Sequence, residues 1–155
     1  MNIFVLNADP YKSAQDHCDK HVGKMLIETV QLLSTARIHA GFDAPYNNTH
    51  TNHPCAKWVR ESEVNYNWLV ELGLGLDIQF KIRFNKSHLS GKALRTIISP
   101  PTLPKNGLTE FAQAMPVIYK HSDPVEAYRA YYSGDKRKFA KWNKGTPKPD
   151  WWKDD

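Results

Sequence analysis

Between His17 and Gln31 the sequence carries two chemically opposite stripes at helical spacing. His17, His21, Lys24, Glu28 and Gln31 follow one another at steps of four, three, four and three, which stacks them along one edge of an α-helix. Val22, Met25, Leu26, Thr29, Val30 and Leu33 fall roughly opposite and form a stripe suited to burial. A chain built around this segment is constrained to a helical core. One side of the helix must pack against other elements. The other brings two imidazoles, an amine, a carboxylate and an amide to one edge.

Signals on either side place the remaining elements. Residues 1–7 read as a short extended segment, and Asp9-Pro10 as a turn. Ser13 followed by Asp16 predicts a helix start related to the capping box, so the first helix is expected from about Gln15 to His39, stopping at Gly41. Residues 41–53 are rich in turn formers and predict a loop. Pro54 suits the first turn of a second helix, expected to reach about Arg83 with Val59, Ser62, Tyr66, Leu69, Gly73, Leu76 and Phe80 on a nearly apolar stripe. Gly73 and Gly75 each cost such a helix about 1 kcal/mol relative to Ala, which points to a bend or to close approach of another backbone. A short helix is expected from His88 to Ile97, then a proline-rich connection over 100–104, and a further turn or two of helix from Thr109 to Met115. Asp123-Pro124-Val125-Glu126 combines an N-cap, a first-turn proline and an early acid, and predicts a last helix. The end, from Lys136 to Asp155, is basic and aromatic. The expected fold is mainly α: a compact single-domain helical bundle over 1–155, with a short extended N-terminal segment and a basic aromatic tail from about 136.

Composition narrows the function classes. With 155 residues, 41% of them hydrophobic, a globular core is expected. No apolar run approaches the ~20 residues of a bilayer span, so no membrane partner is expected. The start lacks a basic n-region and breaks at Asn7-Ala8-Asp9-Pro10, unlike a signal peptide. Two cysteines, Cys18 and Cys55, are too few for a disulfide scaffold, which makes a reducing cytoplasm the expected setting. A formal charge of +5 favours a polyanionic partner.

The His17–Gln31 stripe admits three chemistries. It is a solvated face, or half of a metal site in which His17 and His21 join His50 and His53, or a centre for acid–base and imine chemistry with Glu28 as the carboxylate and His21 orienting. In the loop before Pro54, His50, Asn52 and His53 offer hydrogen bonds to bases or phosphates. Trp58 and Trp68 read as core. Arg60 reads as a solvent-facing cation available to DNA. Towards the end, Arg129, Lys136, Arg137, Lys138, Lys141 and Lys144 alternate with Tyr131, Tyr132, Phe139 and Trp142. This pattern fits a nucleic-acid reader or an amphipathic terminal helix whose aromatics pack inward. Cys18 and Cys55 read as small buried residues.

Three segments, in the same order, carry a family resemblance. Cys18 to Glu28 resembles the first helix of the pyrimidine-dimer DNA glycosylases of the endonuclease V type, in which a histidine precedes the catalytic glutamate by seven residues; the matching positions are His21 and Glu28. Asn52-His53-Pro54, then Trp58 and a long helix ending in Arg83-Phe84-Asn85-Lys86-Ser87-His88, looks like the pattern of bacterial members. Tyr128 to Gly134 is similar to the aromatic DNA-contacting tail of the phage enzyme. The arginines flanking the family's glutamate are matched here by Ile27 and Gln31.

The resemblance implies a compact helical enzyme that excises a damaged or modified pyrimidine from DNA and cleaves the strand through an imine. It needs no cofactor. Glu28 is then the catalytic carboxylate, the α-amine of Met1 or Lys24 the nucleophile, and His21 the group that positions substrate. Asn2 is too large for ready removal of Met1, so the amine belongs to Met1. An α-amine, ordinarily titrating at about 7.7–8.0, is the best amine nucleophile at neutral pH. DNA contacts are expected from His17, Gln31, His50, Asn52, His53, Arg60, Arg129, Tyr131, Tyr132 and Lys138. The enzyme is expected to be a monomer in the cytoplasm, that of the host cell if phage-encoded. The competing expectations are a metal-dependent nuclease or phosphohydrolase using His17, His21, His50 and His53, and a non-enzymatic nucleic-acid-binding accessory protein.

Overall fold

In the computed structural model, which describes all residues from Met1 to Asp155, the chain forms six α-helices and no strands. Helix α1 (Pro10–Asp16) starts at Asp9, whose carboxylate accepts hydrogen bonds from the N–H groups of Tyr11 and Lys12 at 2.9 and 3.1 Å. Helix α2 (Asp19–His39) follows after a break. The single helix expected from Gln15 to His39 is therefore divided at His17 and Cys18, both extended with ψ of 138° and 160°. Tertiary partners cause the division. The Arg83 guanidinium donates to the carbonyls of Gln15 and His17, and the Tyr132 hydroxyl accepts from the Cys18 N–H at 3.1 Å. Helix α2 gives way to Gly41 at φ +84°, the left-handed turn a glycine provides at no steric cost.

The second expected helix is likewise two. Helix α3 (Pro54–Arg60) ends before Ser62, which is extended at φ −161° and caps helix α4 (Glu63–Phe84) through its hydroxyl on the Asn65 N–H. Ser62 sits on the apolar stripe because it is a buried cap. Helix α5 (Leu89–Arg95) is capped by the His88 imidazole, and helix α6 (Pro124–Gly134) by Asp123. The helical turns expected over Thr109–Met115 do not form. That segment is irregular, and side chains of other elements satisfy its backbone: Asn65 takes the Thr109 N–H, Trp58 donates to the Thr109 carbonyl, and Tyr128 bonds both the Ala112 carbonyl and the Ala114 N–H. The nearest helical turn is a short 3₁₀ element, Val117–Tyr119.

Helix α4 is the axis of the molecule, with α1 and α2 packed along it. Its two glycines mark close approaches. A Cβ on Gly73 would lie 2.8 Å from Leu94 and 3.0 Å from Thr29, and one on Gly75 would lie 2.7 Å from the Ala14 Cβ. The apolar stripe of α2 is buried from Val22 through Leu33, and Trp58 and Trp68 are core. The N-terminal segment is buried from Asn2 to Leu6, with Phe4 packed among His21, Tyr128, Tyr131 and Tyr132.

The basic aromatic tail folds back onto this core. Trp142 donates to the Asp16 carbonyl and Trp151 to its carboxylate, while Trp152 is buried. The tryptophans of the tail are thus packing residues. Both cysteines are buried and unpaired, and burial pushes the Cys55 thiol up to about 11. No helix is long and apolar enough to cross a membrane.

Candidate active site

Glu28 lies on α2 one turn beyond Lys24 and two beyond His21, on the flank that faces the N-terminal segment. That segment runs alongside α2 because Ile3 to Leu6 are drawn into the core. Its first atom is thereby fixed. The Met1 amine stands 3.4 Å from Glu28 Oε1, and the Asn2 N–H donates to the same oxygen at 3.0 Å. The Glu28 side chain is 12% exposed, and Met1 beside it is half-buried, with its own side chain tucked inward. The pair forms one wall of a cleft of about 140 Å³ that is also lined by Phe4, His21, Lys24, Tyr131 and Lys136. The volume is below the usual ~300–1,000 Å³ of small-molecule pockets. Four larger hollows, of about 430, 420, 370 and 280 Å³, lie elsewhere and hold neither the amine nor Glu28.

Asn2 holds this arrangement in place. Its amide donates to the Ala114 carbonyl at 2.8 Å, and its Oδ1 lies 2.9 Å from the Tyr128 hydroxyl. Lys136 went unrecognised as a site residue. Its ammonium stands 4.7 Å from the Tyr131 ring centre and 5.8 Å from that of Phe4, so the cleft carries a second cation opposite Lys24. The signal for Asn2 is its place next to the candidate nucleophile; for Lys136 it is the basic and aromatic alternation of the tail, which does not set it apart from the neighbouring lysines.

The other expected site residues separate. His21 reaches the cleft wall but is 3% exposed; its Nδ1 lies 2.7 Å from the Tyr132 hydroxyl. His17 is sealed in the core, with Nδ1 2.6 Å from the Ser13 carbonyl and Nε2 unpartnered. Tyr132 is also fully buried. Neither His17 nor Tyr132 can touch DNA, because both fill the space between α1, α2 and α6. Tyr131 does line the cleft. His53 caps α3 through its Nδ1 and is close enough to the Met1 amine and His50 for both to depress its pKa, after partial burial as the main cause. His50 and Asn52 are exposed on the same loop, Gln31 is half-buried, and Lys138 is exposed. Arg60 is half-buried, with one guanidinium nitrogen sealed and unpartnered. Arg129 lies in the 430 Å³ hollow, donating to the Leu6 carbonyl.

The four-histidine metal arrangement does not assemble. No three His, Cys, Asp or Glu side chains converge as ligands. His17 and His21 have their rings 6.5 Å apart in the core, and each of the four imidazoles has its Nδ1 bonded to a separate protein group.

Burial makes the two core histidines acid-sensitive. Desolvation lowers the pKa of His17 to about 4, with the Arg83 charge adding to it, and that of His21 to about 3, with His17 and three lysines adding. Both are neutral in the fold, whereas an unfolded histidine titrates near ~6.5. Below that value the unfolded chain binds more protons than the folded one, so stability is complete above ~6.5 and falls as pH drops towards 4. The expected slope is on the order of 1 kcal/mol per pH unit for each histidine. Urea midpoints at pH 7 and pH 5 measure it, and a His17→Asn variant should show a shallower dependence; equal midpoints at the two pH values would contradict it.

No family model matches the chain, and no curated protein or solved structure shows significant similarity to it.

Proposed function

We propose that the protein is a DNA glycosylase/AP lyase in which the Met1 α-amine is the nucleophile and Glu28 the carboxylate that manages its protons. The observation that carries this reading is the 3.4 Å separation of the Met1 amine and Glu28 at the wall of a cleft flanked by Lys24 and Lys136. An amine nucleophile needs a partner to take its proton as it attacks, and a carboxylate at this distance is within reach of that role. Lys24 is exposed and is the weaker candidate for nucleophile; it is better placed to hold a phosphate.

The chemistry follows from these groups. The amine nitrogen bonds to C1′ of a damaged nucleotide as the base departs with its electron pair and is protonated. At a site already lacking its base, the amine adds to the C1′ aldehyde, and the carbinolamine loses water to give an imine. Glu28 takes the ammonium proton and returns it to the departing oxygen. On the base-excision route the C1′–O4′ bond then breaks, O4′ taking the proton held by Glu28, to give the same imine. The cationic imine acidifies C2′; the Glu28 carboxylate takes that proton as the C3′–O bond to the 3′ phosphate breaks, and water then hydrolyses the imine to free the amine. The positive charge of the intermediate forms next to the carboxylate, where it is stabilised.

Borohydride tests the imine directly. Reduction in the presence of abasic-site DNA is expected to leave a covalent protein–DNA adduct, and peptide mapping should place it on the Met1 nitrogen. An adduct on Lys24 would move the nucleophile, and absence of any adduct would remove the lyase.

A further inference from the structure

We propose that the Val117–Ile118 tip is a wedge that enters duplex DNA at the base step beside the nucleotide drawn into the Met1–Glu28 cleft; this rests on the DNA-acting function proposed above. Val117 and Ile118 are 79% and 83% exposed, side by side on one short turn. Two branched apolar side chains held out in water are costly to a folded protein unless something covers them. A floppy loop would waste the contact, but this turn is rigidly built. The N–H groups of Tyr119 and Lys120 close it on the carbonyls of Pro116 and Val117, each at 3.0 Å. At its base the Gln113 side chain clasps the backbone of His121 from both sides, at 2.6 and 3.0 Å.

The turn is also tied to the candidate site by two routes. The Tyr119 hydroxyl donates to Asp135 at 2.7 Å, and its ring packs 5.4 Å from that of Tyr131, which lines the cleft. Gly134 leaves the room for this, since a Cβ there would collide with the Tyr119 ring. The second route is the Asn2 amide on the Ala114 carbonyl, from the same residue whose N–H holds Glu28. The tip and the cleft are thus parts of one rigid surface.

Charge selects the occupant. Lys120 stands on the turn, and Lys136, which lines the cleft, lies over the Tyr131 ring that packs on Tyr119; the carboxylates of Asp123 and Asp135 sit at its base, bonded to the Val125 N–H and the Tyr119 hydroxyl. An apolar point beside a cleft that carries Lys24 and Lys136 fits a base step flanked by phosphates. Wedges of this kind unstack a step and kink the duplex, and an enzyme acting on a base must open the stack in this way.

The test reads unstacking and does not depend on bond chemistry. The probe is a duplex carrying a tetrahydrofuran abasic-site analogue with 2-aminopurine beside it, titrated with the full chain. A several-fold fluorescence rise is expected with the wild type and its loss with Val117→Ser/Ile118→Ser. Leu89→Ser, which changes an equally exposed residue at 78%, should keep the rise. Unchanged thermal midpoints show that the variants fold. The proposal is overturned if the wild type binds without the rise, if it binds no duplex, or if the double variant keeps the signal. It is also overturned if the double variant instead loses adsorption to phosphatidylserine vesicles, or self-association, with no signal on DNA. A fluorescence rise without borohydride trapping leaves the wedge standing and removes the imine chemistry.

Discussion

On the proposed imine chemistry, Glu28→Gln is expected to lower the rate of strand cleavage at an abasic site by about 10²–10⁴-fold, the usual contribution of a positioned acid–base group. The substitution keeps the shape of the side chain, and its amide oxygen still accepts from the Asn2 N–H, so the N-terminal segment stays in place. What disappears is the proton acceptor 3.4 Å from the Met1 amine and the negative charge beside the cationic intermediate. Binding to abasic DNA should change little, since the phosphate grip is assigned to lysines. Single-turnover cleavage and equilibrium binding separate the two effects. If cleavage falls only in step with binding, Glu28 is a structural partner of the N-terminus and has no part in catalysis.

Arg83→Met should be strongly destabilising, at about 3–5 kcal/mol. Arg83 is buried, with its side chain fully sealed. Its guanidinium donates to the carbonyls of His17 and Gln15 at 2.6 and 2.9 Å, to Asp19 at 3.1 Å and to Gln79 at 3.1 Å. These contacts hold open the break between α1 and α2, so they do more than a surface ion pair, whose worth is ~0–1 kcal/mol. Methionine fills the volume but leaves two carbonyls and a carboxylate without their donor. Lysine cannot replace the planar fork. For a domain of this size the loss corresponds to a melting temperature lower by about 10 °C. A decrease of under about 1 kcal/mol in urea titrations would show that the break is held by the Tyr132–Cys18 contact alone.

Helix identity was readable along the chain because caps and breakers act locally. Pro54, Asp123 and Gly41 each stand where their chemistry leads one to expect, at helix starts and at one helix end, whereas Asp9-Pro10, which reads as a turn, opens α1 ahead of the Ser13 start. The two helix breaks were not readable. At His17 the backbone leaves the helix because an arginine 66 residues away takes its carbonyl, and no local pattern encodes that partner. Thr109–Met115 failed in the same way: its backbone is claimed by Asn65, Trp58 and Tyr128. Periodicity also misjudged one edge of α2. It placed His17 and His21 with the polar residues, but a neutral imidazole with one hydrogen bond packs against Phe4 and Tyr132 as an aromatic ring would.

The sequence by itself determined a helical protein, the burial of the stripe from Val22 to Leu33, and a carboxylate at Glu28 on the edge that stripe leaves free. Those follow from side-chain spacing, which is a property of neighbours along the chain. Only the tertiary structure decided that the first amine meets Glu28, that Lys136 and not Arg129 completes the cleft, that the tryptophans of the tail belong to the core, and that Val117 and Ile118 stand alone in water. Each of these depends on which distant groups satisfy a buried donor or fill a buried volume. Such matching is settled in three dimensions, when all the elements compete for the same interior.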